Sequence, residues 1–237
     1  MVTVGLPVYN QTEILSLALM GLASQKTEET WELIICTEND VENVVDLFRE
    51  DLKKSGCVKI VIDKLFEWIP LPQKWRRIGQ QMDPKSSGMI LQAADCYPHR
   101  DRITQSAYAM SLGFDWYHEK KGYFYDINSG KMALFDGDFC PPNSTYLNMC
   151  IADKHVRDLP LSNKRKSIDR WLFKGIENPK VYTFEGPAMG VDIHGKNWIS
   201  ARRGKKINTY QPPFFKSSVG IKSIINFDNY GDKAYKI

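Results

Sequence analysis

Polar and aromatic residues follow the apolar, strand-like segments of the first hundred residues, where they could contact a ligand. Tyr9 follows the first such segment, and its ring could stack on a planar base. Glu38 follows the second, and a carboxylate there could accept a hydrogen bond from a nucleobase N–H. Asp95 follows the fourth, where it would project into the crevice of a sheet. Each also has a simpler interpretation, because Tyr9 could only pack against its neighbours and Asp95 could be an ordinary turn residue.

Two neighbouring motifs extend this set of polar positions. The run Lys74-Trp75-Arg76-Arg77 carries three cations that could neutralise phosphates, or that could form the solvent-exposed face of a helix. Beside Glu38, either Asn39 or Asp40 is expected to cap a helix beginning at Val41, which would leave Glu38 available for a ligand.

The segments that must position these residues alternate between strand-like and helix-like patterns. Strands are predicted at 2–8, 31–36, 58–62 and 89–93, and helices at 12–23 and 41–54, with Pro7 ending the first ladder. Strands separated by helices of this length predict βαβ units and a parallel sheet. Such sheets bind ligands at the carboxyl ends of their strands, where Tyr9, Glu38 and Asp95 stand.

The second half of the chain has a more mixed pattern. Strands are predicted at 114–124 and 132–135, and residues 123–127 could pair with 131–135 around the turn at 128–130. Helices are predicted at 143–152 and 166–175, and loops with short strands from about residue 185 onward. The prediction is an α/β core with a mixed elaboration, in one domain.

Composition excludes several classes of protein. The chain has 237 residues, is 25% charged and carries a net charge of +4, which is low for a dedicated nucleic-acid-binding protein. Five cysteines without CxxC spacing favour buried free thiols in a reducing compartment over disulfides or zinc. No run of 18 apolar residues and no signal peptide is found, so we expect a cytoplasmic location, with peripheral membrane attachment left open.

Three stretches in order along the chain, VTVGLPVYN, WELIICTEND and GMILQAADCYPHRDRI, resemble family 2 glycosyltransferases of the GT-A fold. The resemblance covers about residues 1–110 and continues more weakly to about 200. It implies a Rossmann-related, mostly parallel sheet flanked by helices, with a mixed C-terminal elaboration on the acceptor side. It also implies one domain, in which 1–110 bind the nucleotide sugar and 111–237 form the acceptor half and a C-terminal loop.

The resemblance further implies which residues form the donor site. The positions that would contact the base or the phosphates are Pro7, Tyr9, Glu38, Lys74, Arg76 and Arg77. Asp95 matches the last residue of the family's Asp-x-Asp signature, which coordinates Mn²⁺ or Mg²⁺ on the donor diphosphate. Gln92 and Ala94 stand where further acidic residues usually stand, so the chain departs from the family there.

Two later segments resemble the catalytic motifs of the same family. In KSIDRWL, Asp169 matches the general base that deprotonates the acceptor hydroxyl, although an acid favoured by the helix dipole is an equal alternative. In VDIHGKN, His194 matches a late histidine that ligates the metal or a phosphate, although a lone histidine is usually structural or exposed.

The implied activity is an inverting, metal-assisted transfer of a sugar from a UDP- or GDP-sugar to a hydroxyl of a glycan or other acceptor. A catalytically inactive sugar-nucleotide-binding or carbohydrate-binding protein is the alternative, and Gln92 and Ala94 would suit it. A nucleotidyltransferase would open with a Gly-rich phosphate loop, which residues 5–9 are not. A dehydrogenase is disfavoured because no G-x-G-x-x-G follows the first strand.

Overall fold

The computed structural model describes residues 1–9, 12, 15–119, 122–126, 131–135, 149–164, 168–184 and 189–192. The strands are β1 (Val2–Val8), β2 (Trp31–Thr37), β3 (Cys57–Lys64), β4 (Gly88–Leu91), β5 (Cys96–Tyr97), β6 (Trp116–Glu119), β7 (Gly122–Asp126), β8 (Lys131–Phe135), β9 (Met149–Ala152), β10 (Val181–Phe184) and β11 (Met189–Asp192). The helices are α1 (Leu15–Ala23), α2 (Glu42–Asp46), α3 (Arg49–Lys54), α4 (Leu71–Gln81), α5 (Arg102–Ser111), α6 (Asp153–Val156) and α7 (Ile168–Lys174). None of the helices in these ranges has the length and apolar character needed to cross a bilayer.

The larger sheet has seven strands in the order β10-β6-β9-β4-β1-β2-β3. Every neighbouring pair is parallel except the two that β9 makes with β4 and with β6. Six strands therefore run in one direction and end at the same edge, which we call the carboxyl edge. This mostly parallel sheet flanked by helices confirms the predicted fold class.

Alternate residues of the central strands pack into two apolar layers, one on each face of the sheet. In β2, Leu33 and Ile35 join the layer that contains α1, α2, α3 and α5, whereas Ile34 and Cys36 join the layer of α4, α6 and α7. A strand covered on both faces needs apolar residues at every position, which is why β1 and β2 are continuous apolar runs. Helices on both faces leave the strand ends as the exposed rim of the sheet.

A smaller sheet follows in the order β5-β11-β7-β8. The hairpin predicted around residues 128–130 is confirmed, because β7 and β8 pair antiparallel with Asp126 opposite Lys131. The single strand predicted over 114–124 is instead two strands, β6 and β7, in different sheets.

Three sequence-based predictions of local structure were wrong. The helix predicted over 143–152 is a strand at its described end, because Met149–Ala152 inserts between β4 and β6 and is buried on both sides. The helix predicted over 41–54 is divided into α2 and α3, with the buried Phe48 at the break. The first ladder continues through Pro7 to Val8, which pairs with Thr37.

The predicted helix cap after β2 was also wrong. Helix α2 begins at Glu42, and its N-cap residue, Val41, makes no side-chain capping bond. The polar run instead folds back on β2, because the Asn39 N–H donates to Thr37 Oγ1 at 3.0 Å.

The four cysteines within the described residues are free and buried, as predicted from their number and spacing. Burial raises the pKa of Cys36 and of Cys150 to about 12. These thiols are therefore protonated and unreactive near neutral pH, and Cys140 lies outside the described residues.

Candidate functional site

The carboxyl edge brings three predicted site segments to neighbouring strand ends. Val8 pairs with Thr37 at the ends of β1 and β2, so Tyr9 and Glu38 leave the sheet side by side. On the other side of β1, the Gln92 N–H donates to Gly5 O at 2.9 Å and continues the ladder into the turn that carries Asp95. Residues 86 positions apart in the chain therefore stand at one rim because parallel neighbours end together.

Lys74 is the residue that ties this rim together. It projects from α4, forms an ion pair with Glu38 and donates from Nζ to Val8 O at 2.7 Å. The same Nζ lies 5.5 Å from the centroid of the Tyr9 ring, within cation–π range. The Lys74 side chain is 2% exposed, so it serves as an internal connection between β1 and β2. A direct contact with donor phosphates would require Lys74 to leave these partners.

Tyr9 forms an aromatic corner with Trp68, a residue that sequence reasoning missed. The two ring centroids are 6.2 Å apart and the ring planes meet at 64°. Tyr9 is 51% exposed and Trp68 is 42% exposed, so both rings present surface to solvent. No motif surrounds Trp68 in the sequence, and only the fold places it beside Tyr9.

The loop that carries Trp68 is fastened to the end of β2 at two points. The Leu65 N–H donates to Thr37 O at 2.8 Å, and the Ile69 N–H donates to Glu38 Oε1 at 3.2 Å. Glu38 therefore holds Lys74 with one carboxylate oxygen and this loop with the other. Its side chain remains 14% exposed, more than that of Lys74.

Arg76 and Arg77 are not brought to the rim with Lys74. Arg77 donates twice to Asp63 of β3, at 2.7 Å for both bonds, and its hydrogen bond holds the pKa of Asp63 below its usual range. Arg76 donates to Leu159 O at 3.1 Å. Both line a cavity of about 680 Å³ between α4 and residues 64–69, which include the loop that carries Trp68. Pro7 lies within the buried β1 ladder, two residues before Tyr9.

The turn after β4 presents Asp95 as a half-buried side chain. Gln92 bridges this turn, because its Nε2 donates to Ala93 O at 2.9 Å and to Cys96 O at 2.8 Å. Ala94 is 1% exposed within the apolar layer, so an acidic residue at that position would be buried among apolar side chains.

A divalent cation fits this turn only if the phosphates of a bound nucleotide and water complete its coordination. Among the described residues, no group of three or more His, Cys, Asp or Glu could hold a metal ion. Mg²⁺ characteristically uses one or two carboxylates together with substrate phosphates and water, and Asp95 at the open edge suits that arrangement. His194, the second predicted ligand, lies outside the described residues.

Asp169 is the second residue of α7, and its side chain is outside the described set. Phe173, in the last turn of this helix, packs edge-to-face on Trp116 with centroids 5.1 Å apart. Trp116 begins β6, so the last turn of α7 lies at the amino end of that strand. The role predicted for Asp169 stays a prediction.

No protein-family model matches the chain, and no curated protein matches it in sequence. Solved structures do match. Residues 1–349 of TarS from S. aureus, solved in complex with UDP-GlcNAc, superpose with a TM-score of 0.64 and 12% identity over 85% of this chain and 61% of that one. The mannosyltransferase PcManGT from Pyrobaculum calidifontis, in complex with GDP-Man and Mn²⁺, gives a TM-score of 0.59 and 11% identity over 86% and 60%.

The chain has the GT-A fold. HddC from Yersinia pseudotuberculosis shares it more distantly, with a TM-score of 0.50 and 13% identity over 78% of this chain and 90% of that one. The chain spans about 60% of the length of the TarS fragment. At these identities the similarity establishes the GT-A architecture, and the chemistry must be argued from the residues at the carboxyl edge.

Proposed function

We propose that this protein transfers a sugar from a nucleoside-diphosphate sugar to a hydroxyl acceptor, with metal assistance and inversion at the anomeric carbon. The observation that carries the proposal is the meeting of Tyr9, Glu38 and the Asp95 turn at neighbouring ends of β1, β2 and β4. These are the residues that the family resemblance matches to base and metal contacts. In this proposal residues 1–110 bind the donor and residues 111–237 bind the acceptor within one domain.

The donor would lie across the rim with its base at Tyr9 and its diphosphate at Asp95. The exposed ring of Tyr9 offers a stacking surface, and the Glu38 carboxylate offers an acceptor for a base N–H. UDP-GlcNAc is bound to TarS and GDP-Man to PcManGT, which supports a UDP- or GDP-sugar as the donor here. Arg76 and Arg77 would reach such a donor only after leaving Leu159 O and Asp63.

The chemistry requires a base for the acceptor and charge neutralisation for the leaving group. Asp169 would take the proton of the attacking hydroxyl, a contribution typically of ~10²–10⁴-fold. The acceptor oxygen bonds to the anomeric carbon as the bond from that carbon to the diphosphate breaks, which inverts the centre and releases the nucleoside diphosphate. Mn²⁺ or Mg²⁺, held by Asp95 and His194, would neutralise the charge on that diphosphate.

A specific observation favours a second function, binding of a sugar nucleotide or carbohydrate without transfer. Ala94 has no ligating side-chain atom, and Gln92 has an amide whose Nε2 bridges the turn, so two positions that are usually acidic in the family supply no carboxylate here. A single remaining carboxylate would hold the cation more weakly.

Calorimetry with UDP and GDP, with and without Mn²⁺, followed by a transfer assay with sugars of the better-bound nucleotide, tests the proposal. A glycosyltransferase should bind one nucleotide more tightly with Mn²⁺ and should release it from the donor when a hydroxyl acceptor is present. Tight nucleotide binding without release of the nucleotide from the donor, whichever acceptor is added, would instead support the non-catalytic function. Absence of nucleotide binding would overturn both functions.

A further inference from the structure

The aromatic corner at the rim contains a residue to which the predicted donor site gives no role. Trp68 and Tyr9 meet at 64° with their centroids 6.2 Å apart, and roughly half of each side chain is exposed. A planar ligand stacked on one ring of such a pair would have its edge or face against the other. Stacking on aromatic side chains is a general means of holding nucleobases.

The position of Trp68 is fixed by the same groups that form the rest of the rim. Its loop is fastened through Leu65 to Thr37 O and through Ile69 to Glu38 Oε1. Phe66, in the same loop, is fully exposed, so the loop does not simply place every aromatic residue against the protein. Trp68 is therefore held beside Tyr9 before any ligand binds. This preorganisation lowers the entropic cost of binding, because the side chain and its loop do not have to be ordered by the ligand.

We propose that Trp68 is the second wall of the nucleobase site and contacts the donor base together with Tyr9; this rests on the proposed function. The base edge then faces Glu38, whose carboxylate is more exposed than the Lys74 ammonium behind it. A carboxylate accepts hydrogen bonds and donates none, so the site selects a base with an N–H on that edge, as in uracil or guanine.

The test compares wild type, Trp68→Ala, Trp68→Phe and the matched control Phe66→Ala in calorimetric titrations with UDP, GDP and inorganic pyrophosphate, all with Mn²⁺. Trp68→Ala should weaken binding of the preferred nucleotide about tenfold or more. Trp68→Phe should recover most of that loss, and Phe66→Ala should bind as the wild type does. Pyrophosphate has no base, so all four proteins should bind it equally.

Tryptophan fluorescence supplies a second readout. Trp31, Trp75 and Trp116 are buried, Trp171 is half-buried in α7, and Trp198 lies outside the described residues. Trp68 is exposed at the rim, so the nucleotide should change the wild-type emission, and the part of this change that comes from Trp68 should be lost in Trp68→Phe. Unchanged nucleotide affinity in Trp68→Ala, or an equal loss for pyrophosphate, would overturn the role of Trp68 while leaving the proposed function intact. If the wild type binds neither UDP nor GDP, the proposed function itself fails.

Discussion

The ammonium of Lys74 and the carboxylate of Glu38 form an ion pair beside Tyr9, at the point where β1 and β2 end. Lys74 reaches this point from α4, on one face of the sheet, and also binds Val8 O. One nearly buried cation therefore holds two strand ends, a carboxylate and an aromatic ring in a fixed arrangement. Two parts of this arrangement remain accessible to a ligand, the exposed Tyr9 ring and, to a smaller extent, the Glu38 carboxylate.

Replacing Lys74 should be far more costly than replacing its basic neighbour Arg77. Lys74→Met leaves the Glu38 carboxylate without its partner, and breaking a buried pair from one side costs roughly 3 kcal/mol or more. Arg77→Met removes a cation that is 46% exposed, and Asp63 keeps the hydrogen bond from Gln81 Nε2, so about 1 kcal/mol or less is expected. Urea denaturation of the two variants measures the difference in free energy of unfolding. Equal losses would contradict the role of Lys74 as an internal connection.

Asp95→Asn should remove the effect of Mn²⁺ on nucleotide binding. The amide keeps the size of the side chain but loses the charge that attracts a hard cation. Calorimetry should show the wild-type affinity for UDP or GDP rising with Mn²⁺ and the variant affinity staying constant. Asp101→Asn, six residues further along, is the control and should keep the response to Mn²⁺. A full Mn²⁺ response in Asp95→Asn would exclude Asp95 as the ligand.

Asp169→Asn should abolish transfer and spare donor binding. The variant cannot accept a proton, so we expect the transfer rate to fall about 100-fold or more, with the nucleotide affinity unchanged. The control is Glu177→Gln, an exposed acid just after α7. Single-turnover release of the nucleoside diphosphate measures the chemical step, and unaltered release in Asp169→Asn would show that another group is the base.

Asp115 should make the stability of the protein depend on pH in the acid range. Although burial opposes it, hydrogen bonds from Lys154, the Lys180 N–H and His155 hold the pKa of Asp115 well below its usual range. A carboxyl with a lowered folded-state pKa stabilises the protein above its unfolded-state pKa of about 4, and this contribution is lost as the pH falls further.

Asp115→Asn should therefore lower the unfolding midpoint near neutral pH, and the difference from wild type should shrink progressively below about pH 4. Thermal unfolding across that range measures the difference, and Asp158→Asn, an exposed acid, should match wild type throughout. A difference that stays constant down to low pH would mean that the charge of Asp115 does not stabilise the fold.

Much of the first half of the chain could be predicted from local pattern. The strands near 2–8, 31–36 and 58–62 are apolar runs between helices, and the structure has each within two residues of the predicted ends. The sequence pattern wrongly predicts a helix at Met149–Ala152, because a short apolar run buried on both faces has no periodicity that distinguishes a helix from a strand.

The basic run at 74–77 illustrates what local pattern cannot resolve. In a helix, successive side chains are 100° apart, so Arg76 lies about 160° around the helix from the buried Lys74. Arg77 is only about 60° from Lys74, yet it pairs with Asp63 of β3 and lines the cavity with Arg76. Which side faces the sheet depends on how α4 packs, and that is a property of the whole fold.

The sequence alone determined that Tyr9, Glu38 and Asp95 follow the apolar strands β1, β2 and β4, since hydrophobic pattern and turn residues act locally. The tertiary structure decided that Lys74 joins Glu38 to Val8 and that Trp68 stands beside Tyr9. These contacts join residues between 36 and 66 positions apart. Their geometry is set by how a helix and a loop pack onto neighbouring strands, and a local sequence pattern does not encode contacts between residues so far apart in the chain.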